Sequence, residues 1–120
     1  MRRILLVDDE SLMLDLLELY LKPKGFHCMK ARSGEDAKAA VSEDNPDIII
    51  MDVMMPDKDG WETASEIREI SSAPIIMLTA RDQPEDILRS FHCGATSHIS
   101  KPFDEETLLM HVQSIVKNLQ

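Results

Sequence analysis

Positive charge, cysteine and long apolar runs are all scarce in this sequence, and each shortage narrows the possible functions. The chain has 13 Lys and Arg residues against 22 Asp and Glu residues, a net charge of -9, which disfavours binding to the phosphate backbone of a nucleic acid. Cys28 and Cys93 match no metal-ligand spacing and are predicted to stay reduced in a cytoplasmic protein. No apolar run approaches the roughly 20 residues of a membrane span. Cations and basic protein surfaces are the partners that this composition favours.

The length of 120 residues and the hydrophobic content of 43% predict one domain, residues 1–120. A chain of this size buries roughly two-thirds of its unfolded surface in a single core. Met13, Met77 and Met110 are expected to fill irregular gaps in that core.

One stretch, residues 48–60, organises the rest of the chain. Residues 48–51 are all apolar, which is typical of a strand buried on both faces of a parallel sheet. Asp52 follows where this strand reaches the surface, and a carboxylate there is costly unless it is paired, metal-bound or chemically used. Pro56 and Gly60 then break the chain into a loop. Asp52 is therefore placed on a strand-to-helix loop, where open α/β sheets carry their sites.

Apolar runs and amphipathic stretches alternate five times along the chain. The predicted strands are residues 3–7, 26–30, 48–51, 75–78 and 98–100, and the predicted helices are residues 11–22, 33–43, 61–70, 82–94 and 104–119. Ser33 and Asp104 are expected to cap their helices, and Asp82 with Glu85 to form a capping box around Pro84. Right-handed crossovers then predict a doubly wound α/β fold of the flavodoxin-like (βα)5 type, strand order 2-1-3-4-5.

Acidic residues follow two of these strands. Asp8, Asp9 and Glu10 come after the first and Asp52 after the third, and the predicted strand order makes these two strands neighbours at the switch point. Two carboxylates about 4 Å apart repel by roughly 4 kcal/mol at an effective dielectric of 20. A divalent cation such as Mg²⁺ relieves that repulsion and leaves one carboxylate free to attack phosphorus.

The remaining strand ends carry groups that suit phosphoryl transfer. Thr79 follows the fourth predicted strand and offers a hydroxyl donor, while Lys101 follows the fifth and offers a point charge. Each of these residues alone has an ordinary structural explanation. Their placement after four different buried strands favours a shared site.

The whole chain resembles a response-regulator receiver domain of two-component signalling. The resemblance is carried by Asp8-Asp9, Asp52-Val53-Met54-Met55-Pro56 with Gly60, Thr79-Ala80, Gly94-Ala95 and Lys101-Pro102-Phe103. It implies that Asp52 accepts a phosphoryl group from a histidine kinase or a phosphotransfer protein. It also implies that Asp9, Asp52 and the Met54 carbonyl ligate Mg²⁺, for which Mn²⁺ can substitute, while Asp8 acts mainly through a metal-bound water.

The resemblance assigns further roles around the phosphoryl group. Lys101 would pair with it, Thr79 and Ala80 would contact it, and Met54 and Arg81 would flank the path of hydrolytic water and so tune dephosphorylation. Thr79 and His98 would be the switch residues, and the Lys101-Pro102 peptide would be cis. Such a protein is a phosphoacceptor that phosphorylates and dephosphorylates itself, and it is no turnover enzyme.

Two departures from the family pattern affect the expected output. His98 stands where the family usually has Tyr or Phe. Four further residues occupy positions where the winged-helix DNA-binding class carries ion pairs for dimerisation, namely Ile87, His92, Ser97 and His111. If Ile87 and Phe91 are exposed on the fourth helix, self-association or target binding through helix 4, strand 5 and helix 5 would depend on packing. A free-standing receiver that binds a target protein and a receiver with a DNA-binding domain outside this chain stay open as alternatives.

Three rival families fit less well. A haloacid-dehalogenase-like phosphatase needs a second acid two residues after its nucleophile, where Met54 stands. An EF-hand calcium loop would place Met55 at its first ligand position. A flavodoxin needs a phosphate-cradling loop after strand 1, and three acids there would repel a phosphate.

Overall fold

A five-stranded parallel sheet forms the centre of the computed structural model, which describes residues 2–119. The strands are β1 (Arg3–Val7), β2 (His27–Ala31), β3 (Ile48–Met51), β4 (Ile75–Thr79) and β5 (Ser97–Ser100). Their order is β2-β1-β3-β4-β5 with every pair parallel. This architecture confirms the predicted flavodoxin-like strand order. The second strand begins one residue later than predicted because His27, not Phe26, is the register partner of Arg3.

Helices cover both faces of the sheet. They are α1 (Ser11–Leu21), α2 (Gly34–Asp44), α3 (Gly60–Arg68), α4 (Pro84–His92) and α5 (Glu105–Lys117), and a 3-10 turn (Lys22–Lys24) follows α1. Successive side chains of a strand point to opposite faces. Leu5 and Ile49 therefore join a core cluster with α2 and α3, while Ile4 and Ile48 join a second cluster with α1 and α5.

Two of the three predicted helix caps are confirmed. Ser33 Oγ accepts the Asp36 N–H at 3.1 Å, and the Asp104 carboxylate accepts the Thr107 N–H at 2.7 Å. The third prediction was wrong by one residue, because the N-cap of α4 is Gln83, whose N–H donates to the Asp86 carboxylate. Proline fits best at the first helical position, where no N–H is needed. Pro84 takes that position and shifts the cap to Gln83.

Two apolar side chains of the predicted helices, Ile70 and Met110, are exposed. Helix α3 ends at Arg68, so Ile70 falls in the following turn and is 56% exposed. Met110, predicted as a core residue, is 60% exposed, whereas Leu108 and Val112 are fully buried. Buried positions four residues apart define the inner face of an α-helix. Met110 lies midway between them and therefore on the outer face.

Within residues 2–119, none of the helices combines the length and the hydrophobicity that crossing a bilayer requires.

Candidate functional site

The carboxyl edge of the sheet gathers the polar residues that follow the strands. Val7 of β1 pairs with Met51 of β3, so Asp8 and Asp52, the next residue of each, emerge side by side. Thr79 ends β4, and Lys101 directly follows β5. The prediction that strand ends bring the acids into one crevice is confirmed.

Three carboxylates form the floor of this site. Asp8, Asp9 and Asp52 each offer an oxygen atom, and these atoms lie within 4.8 Å of one another. Asp8 is 2% and Asp52 6% exposed, while Asp9 is half-buried. Burial raises the pKa of Asp8, although the Glu10 N–H (2.9 Å) and Lys101 oppose that rise. A cluster of hard oxygen donors at this spacing could bind a metal ion, and the donor set fits a small divalent cation.

Lys101 is the cation of the site. Its Nζ donates to Asp8 Oδ2 at 2.9 Å and to Asp52 Oδ2 at 3.0 Å. Burial alone would lower the pKa of Lys101, but the hydrogen bonds to both carboxylates outweigh it and raise the pKa. The residue stays protonated at neutral pH. Its N–H donates to the Thr79 carbonyl at 2.9 Å, and the peptide to Pro102 is cis, as predicted.

The loop that carries Asp52 folds tightly onto α3. The Met54 N–H donates to Asp52 Oδ1 at 3.1 Å, so both carboxylate oxygens of Asp52 have a donor. The Gly60 N–H donates to the Val53 carbonyl at 2.7 Å. A Cβ atom at position 60 would lie 2.3 Å from the Asp52 carbonyl oxygen. Only glycine permits this approach, which holds the start of α3 against the Asp52 backbone.

Thr79 and Ala80 form the side of the crevice at β4. Thr79 is fully buried, whereas Ala80 is exposed. The Thr79 hydroxyl accepts the Arg81 N–H at 3.2 Å. A hydroxyl that accepts this bond still has its own proton to donate. Because Thr79 is fully buried, its hydroxyl would reach a ligand at the edge of the crevice only if the side chain moved.

A cavity of about 340 Å³ opens beside the acid cluster. Arg81 and Met54, both expected near the path of hydrolytic water, belong to its wall. The full lining is Asp9, Val53, Met54, Met55, Pro56, Asp59, Trp61 and Arg81. The two residues are thus brought together at one opening, next to Asp9.

His98 points inward in this structure. Its Nδ1 lies 3.1 Å from the hydroxyl of the fully buried Ser90, which also accepts the Trp61 Nε1–H at 3.0 Å. Its Nε2 is buried without a hydrogen-bond partner among residues 2–119. Burial lowers the pKa of His98, while the Arg81 carbonyl, Asp82 and Asp86 act in the opposite direction. The contacts of Ser90 and Trp61 were not predicted, because a serine on a polar helix gives no sequence signal of burial.

The surface of α4, β5 and α5 carries apolar side chains. Leu88 is 61% and Phe91 46% exposed, whereas Ile87 is half-buried. Of the two residues considered as exposed from the sequence, Ile87 and Phe91, only Phe91 is exposed. Ser97 and His111, which occupy two of the expected ion-pair positions, contact each other through Oγ and Nδ1 at 2.6 Å.

Comparisons with known proteins identify the family of this chain. The family model of the response regulator receiver domain matches residues 4–113. Chemotaxis protein CheY4 of Vibrio cholerae is 34% identical, with a TM-score of 0.91 over 96% of this chain and 98% of its own. A two-component response regulator from Clostridium difficile reaches a TM-score of 0.95 at 25% identity, over 98% of both chains. The receiver domain of a signal transduction histidine kinase from Syntrophus aciditrophicus is 31% identical, with a TM-score of 0.91 over 100% of this chain and 93% of its own. The chain, with its acids, threonine and lysine at the carboxyl edge of a 2-1-3-4-5 sheet, belongs to the response-regulator receiver family.

Proposed function

We propose that Asp52 accepts a phosphoryl group from the phosphohistidine of a sensor histidine kinase or a phosphotransfer protein, in a Mg²⁺-dependent reaction. One observation carries this proposal: the Asp52 carboxylate is buried between a lysine ammonium and a backbone N–H, within 4.8 Å of two further acids. A carboxylate oxygen of Asp52 attacks phosphorus, and the phosphorus–nitrogen bond breaks. Its electron pair returns to the imidazole of the donor.

The acid cluster would hold the metal ion. Asp9, Asp52 and the Met54 carbonyl are the direct ligands in this proposal, and Asp8 acts through a bound water. When bound, Mg²⁺, or Mn²⁺ in its place, neutralises charge on the transferring phosphoryl oxygens. The three neighbouring carboxylates support this assignment, since they repel one another as bare anions.

Lys101, Thr79 and Ala80 would bind the phosphoryl group once it is attached. The Lys101 ammonium already contacts Asp52 Oδ2, the atom beside which the new charge develops. The Thr79 hydroxyl would give up the hydrogen bond that it accepts from the Arg81 N–H and move toward Asp52. There it would donate a hydrogen bond to a phosphoryl oxygen. His98 would follow as the second switch residue, since its inward position is supported by the contact of its Nδ1 with Ser90 of α4.

The surface formed by α4, β5 and α5 would transmit the phosphorylation signal to the output partner. The exposed Leu88, Phe91 and Met110 support a packing interface with a target protein, an output domain or, on phosphorylation, a second copy of this chain. A DNA-binding domain outside this chain stays an alternative for the output. With a net charge of -9 and no membrane-spanning helix in residues 2–119, the domain is proposed to act in the cytoplasm without binding nucleic acid or membrane itself.

The phosphorylated state would be long-lived, because neither Met54 nor Arg81 supplies a general base for hydrolysis. Self-phosphorylation and autodephosphorylation would be its only chemistry. The rival phosphatase assignment lacks its second acid, since the side chain two residues past Asp52 is the exposed thioether of Met54.

Incubation with acetyl phosphate and Mg²⁺, followed by intact-mass measurement, tests the proposal. Wild type should gain the mass of one phosphoryl group and Asp52→Asn should gain none. Asp82→Asn, which changes an exposed acid of the loop before α4, is the matched control and should be phosphorylated like wild type. Equal incorporation in Asp52→Asn and wild type would rule out Asp52 as the acceptor.

A further inference from the structure

The Arg81 side chain is held in place although it is 47% exposed. Its Nη2 donates to Asp86 Oδ1 at 3.0 Å and its Nε faces Asp86 Oδ2 at 3.4 Å. Its guanidinium carbon lies 5.0 Å from the centroid of the Trp61 ring. A two-point ion pair and a cation–π contact restrict a side chain that would otherwise sample many rotamers in solvent.

Asp86 has a structural reason to retain this partner. Its side chain is only 8% exposed, and a buried carboxylate is costly without a countercharge. The hydrogen bond from Arg81 is the main cause of a lowered pKa at Asp86, and the Gln83 N–H (3.2 Å) adds to it. Asp86 thus holds Arg81 from the first turn of α4.

Trp61 supplies a platform of fixed orientation. The ring is 2% exposed and its Nε1–H donates to Ser90 Oγ, whose own proton is directed at the Asp86 carbonyl (3.2 Å). One buried hydroxyl therefore connects both partners of Arg81. A ring that cannot rotate gives the guanidinium a defined place to stack.

Arg81 forms part of the wall of the cavity beside the acid cluster, together with Asp9 and Met54. Water that attacks a phosphoryl group on Asp52 must approach in line, from the side opposite the Asp52 oxygen. In that hydrolysis the water oxygen bonds to phosphorus, the bond from phosphorus to the Asp52 oxygen breaks, and the proton passes to bulk solvent. A guanidinium cannot accept that proton, so a guanidinium in the wall obstructs water without assisting it.

We propose that Asp86, through Arg81 and with Trp61, is a positioning residue that lengthens the life of the phosphorylated state by keeping the guanidinium in this wall. The inference rests on the proposed phosphorylation of Asp52. It assigns a role in that chemistry to a residue of α4 that contacts neither the acid cluster nor Lys101.

A double-mutant cycle tests the inference. Asp86→Asn keeps an oxygen acceptor for the Gln83 N–H but loses the charge that holds Arg81. Asp86→Asn should speed loss of the phosphoryl group by up to about fivefold, the factor that corresponds to an ion pair of this kind, and Arg81→Ala should speed it by at least as much. The double variant should be no faster than Arg81→Ala, because Asp86 acts only through Arg81.

Arg89→Ala is the matched control. Arg89 also lies over the Trp61 ring, at 4.2 Å from its centroid, but it is not part of the cavity wall. It should leave the hydrolysis rate unchanged. Trp61 is the single tryptophan of the chain, so its fluorescence reports on the ring alone, and Asp86→Asn should shift the emission in the same direction as Arg81→Ala.

The outcomes separate this inference from the proposed function. Phosphorylation of Asp52 with unchanged lifetime in Asp86→Asn overturns the positioning role alone, as do additive effects in the double variant. A longer lifetime of the phosphorylated state in Asp86→Asn also overturns the positioning role, since Asp86 would then keep Arg81 away from a stabilising contact with the phosphoryl group. Failure of wild type to acquire a phosphoryl group on Asp52 would remove both proposals.

Discussion

Asp9→Asn should stabilise the metal-free protein. The Asp9 carboxylate has an oxygen within 4.8 Å of oxygens of both Asp8 and Asp52. At an effective dielectric of 20, each such pair repels by about 3.5 kcal/mol when fully charged. Lys101 bonds to both buried acids and cancels one of the two charges that Asp9 faces. Solvent screens the half-buried Asp9 further, which leaves a net gain of about 1 kcal/mol on its neutralisation.

Thermal unfolding in a chelator measures the stability gained by Asp9→Asn, and thermal unfolding in Mg²⁺ measures the metal stabilisation that the variant loses. A gain of about 1 kcal/mol should raise the melting temperature of Asp9→Asn by roughly 4 °C in chelator. Mg²⁺ should raise the melting temperature of wild type more than that of the variant, because a ligand stabilises the folded state by an amount that grows with the logarithm of its affinity. Asp82→Asn, an exposed acid away from the cluster, should change neither value. A variant less stable than wild type in chelator, or equally stabilised by Mg²⁺, would refute the charge-repulsion account.

Three further expectations concern acid stability, the switch residue and the output surface. Hydrogen bonds from the backbone N–H groups of Gly34, Lys58 and Glu35 lower the pKa of Asp57 to about 2. This folded pKa is below the unfolded value of about 3.9. The stabilisation from these hydrogen bonds is therefore present above about pH 4 and is lost as the pH falls toward 2. Unfolding free energy over that range should therefore decline more steeply in wild type than in Asp57→Asn, and parallel curves would contradict the assignment. Burial lowers the pKa of His98, so acidification from about pH 7.5 to 6 should favour its outward, protonated rotamer. Target binding by the beryllofluoride-activated protein should weaken over the same pH range. Identical pH profiles for wild type and His98→Tyr would exclude a switching role for His98. Activated complexes formed through Leu88 and Phe91 should be nearly insensitive to salt and should weaken in Phe91→Ala, whereas steep dissociation between low and moderate salt would indicate ion pairing.

The edge of the sheet could be predicted because most of the site residues lie at the end of an apolar run that is buried in the sheet. Residues 48–51 are four apolar side chains in a row, and Asp52 is the first polar one after them. The same reasoning places Asp8 and Thr79, whereas Lys101 follows β5, in which only Ile99 is buried, and its position depends on the alternation of strands and helices. Parallel strands then bring their carboxyl ends to one edge whatever the details of the helices.

The environment of α4 could not be predicted in this way. Asp86 and Ser90 are polar residues on a helix, where the ordinary expectation is solvent exposure, yet both are buried. Their burial depends on the reach of Trp61 from α3 and of Arg81 from the preceding loop. Such contacts join side chains from separate elements, and the periodicity of a single helix carries no information about them. The one-residue error in the α4 cap has the same local origin, since Asp82 and Gln83 are both reasonable caps until Pro84 is placed.

Lys101 has a consequence for the protein between signals. Its ammonium bridges Asp8 and Asp52 across two strands that are not its neighbours in the sheet, so the crevice contains a covalently attached counter-ion. Folding therefore does not have to wait for a metal ion, in contrast to domains that are unfolded without one. Under the proposed function, divalent cations would then govern how readily Asp52 is phosphorylated rather than whether the domain folds.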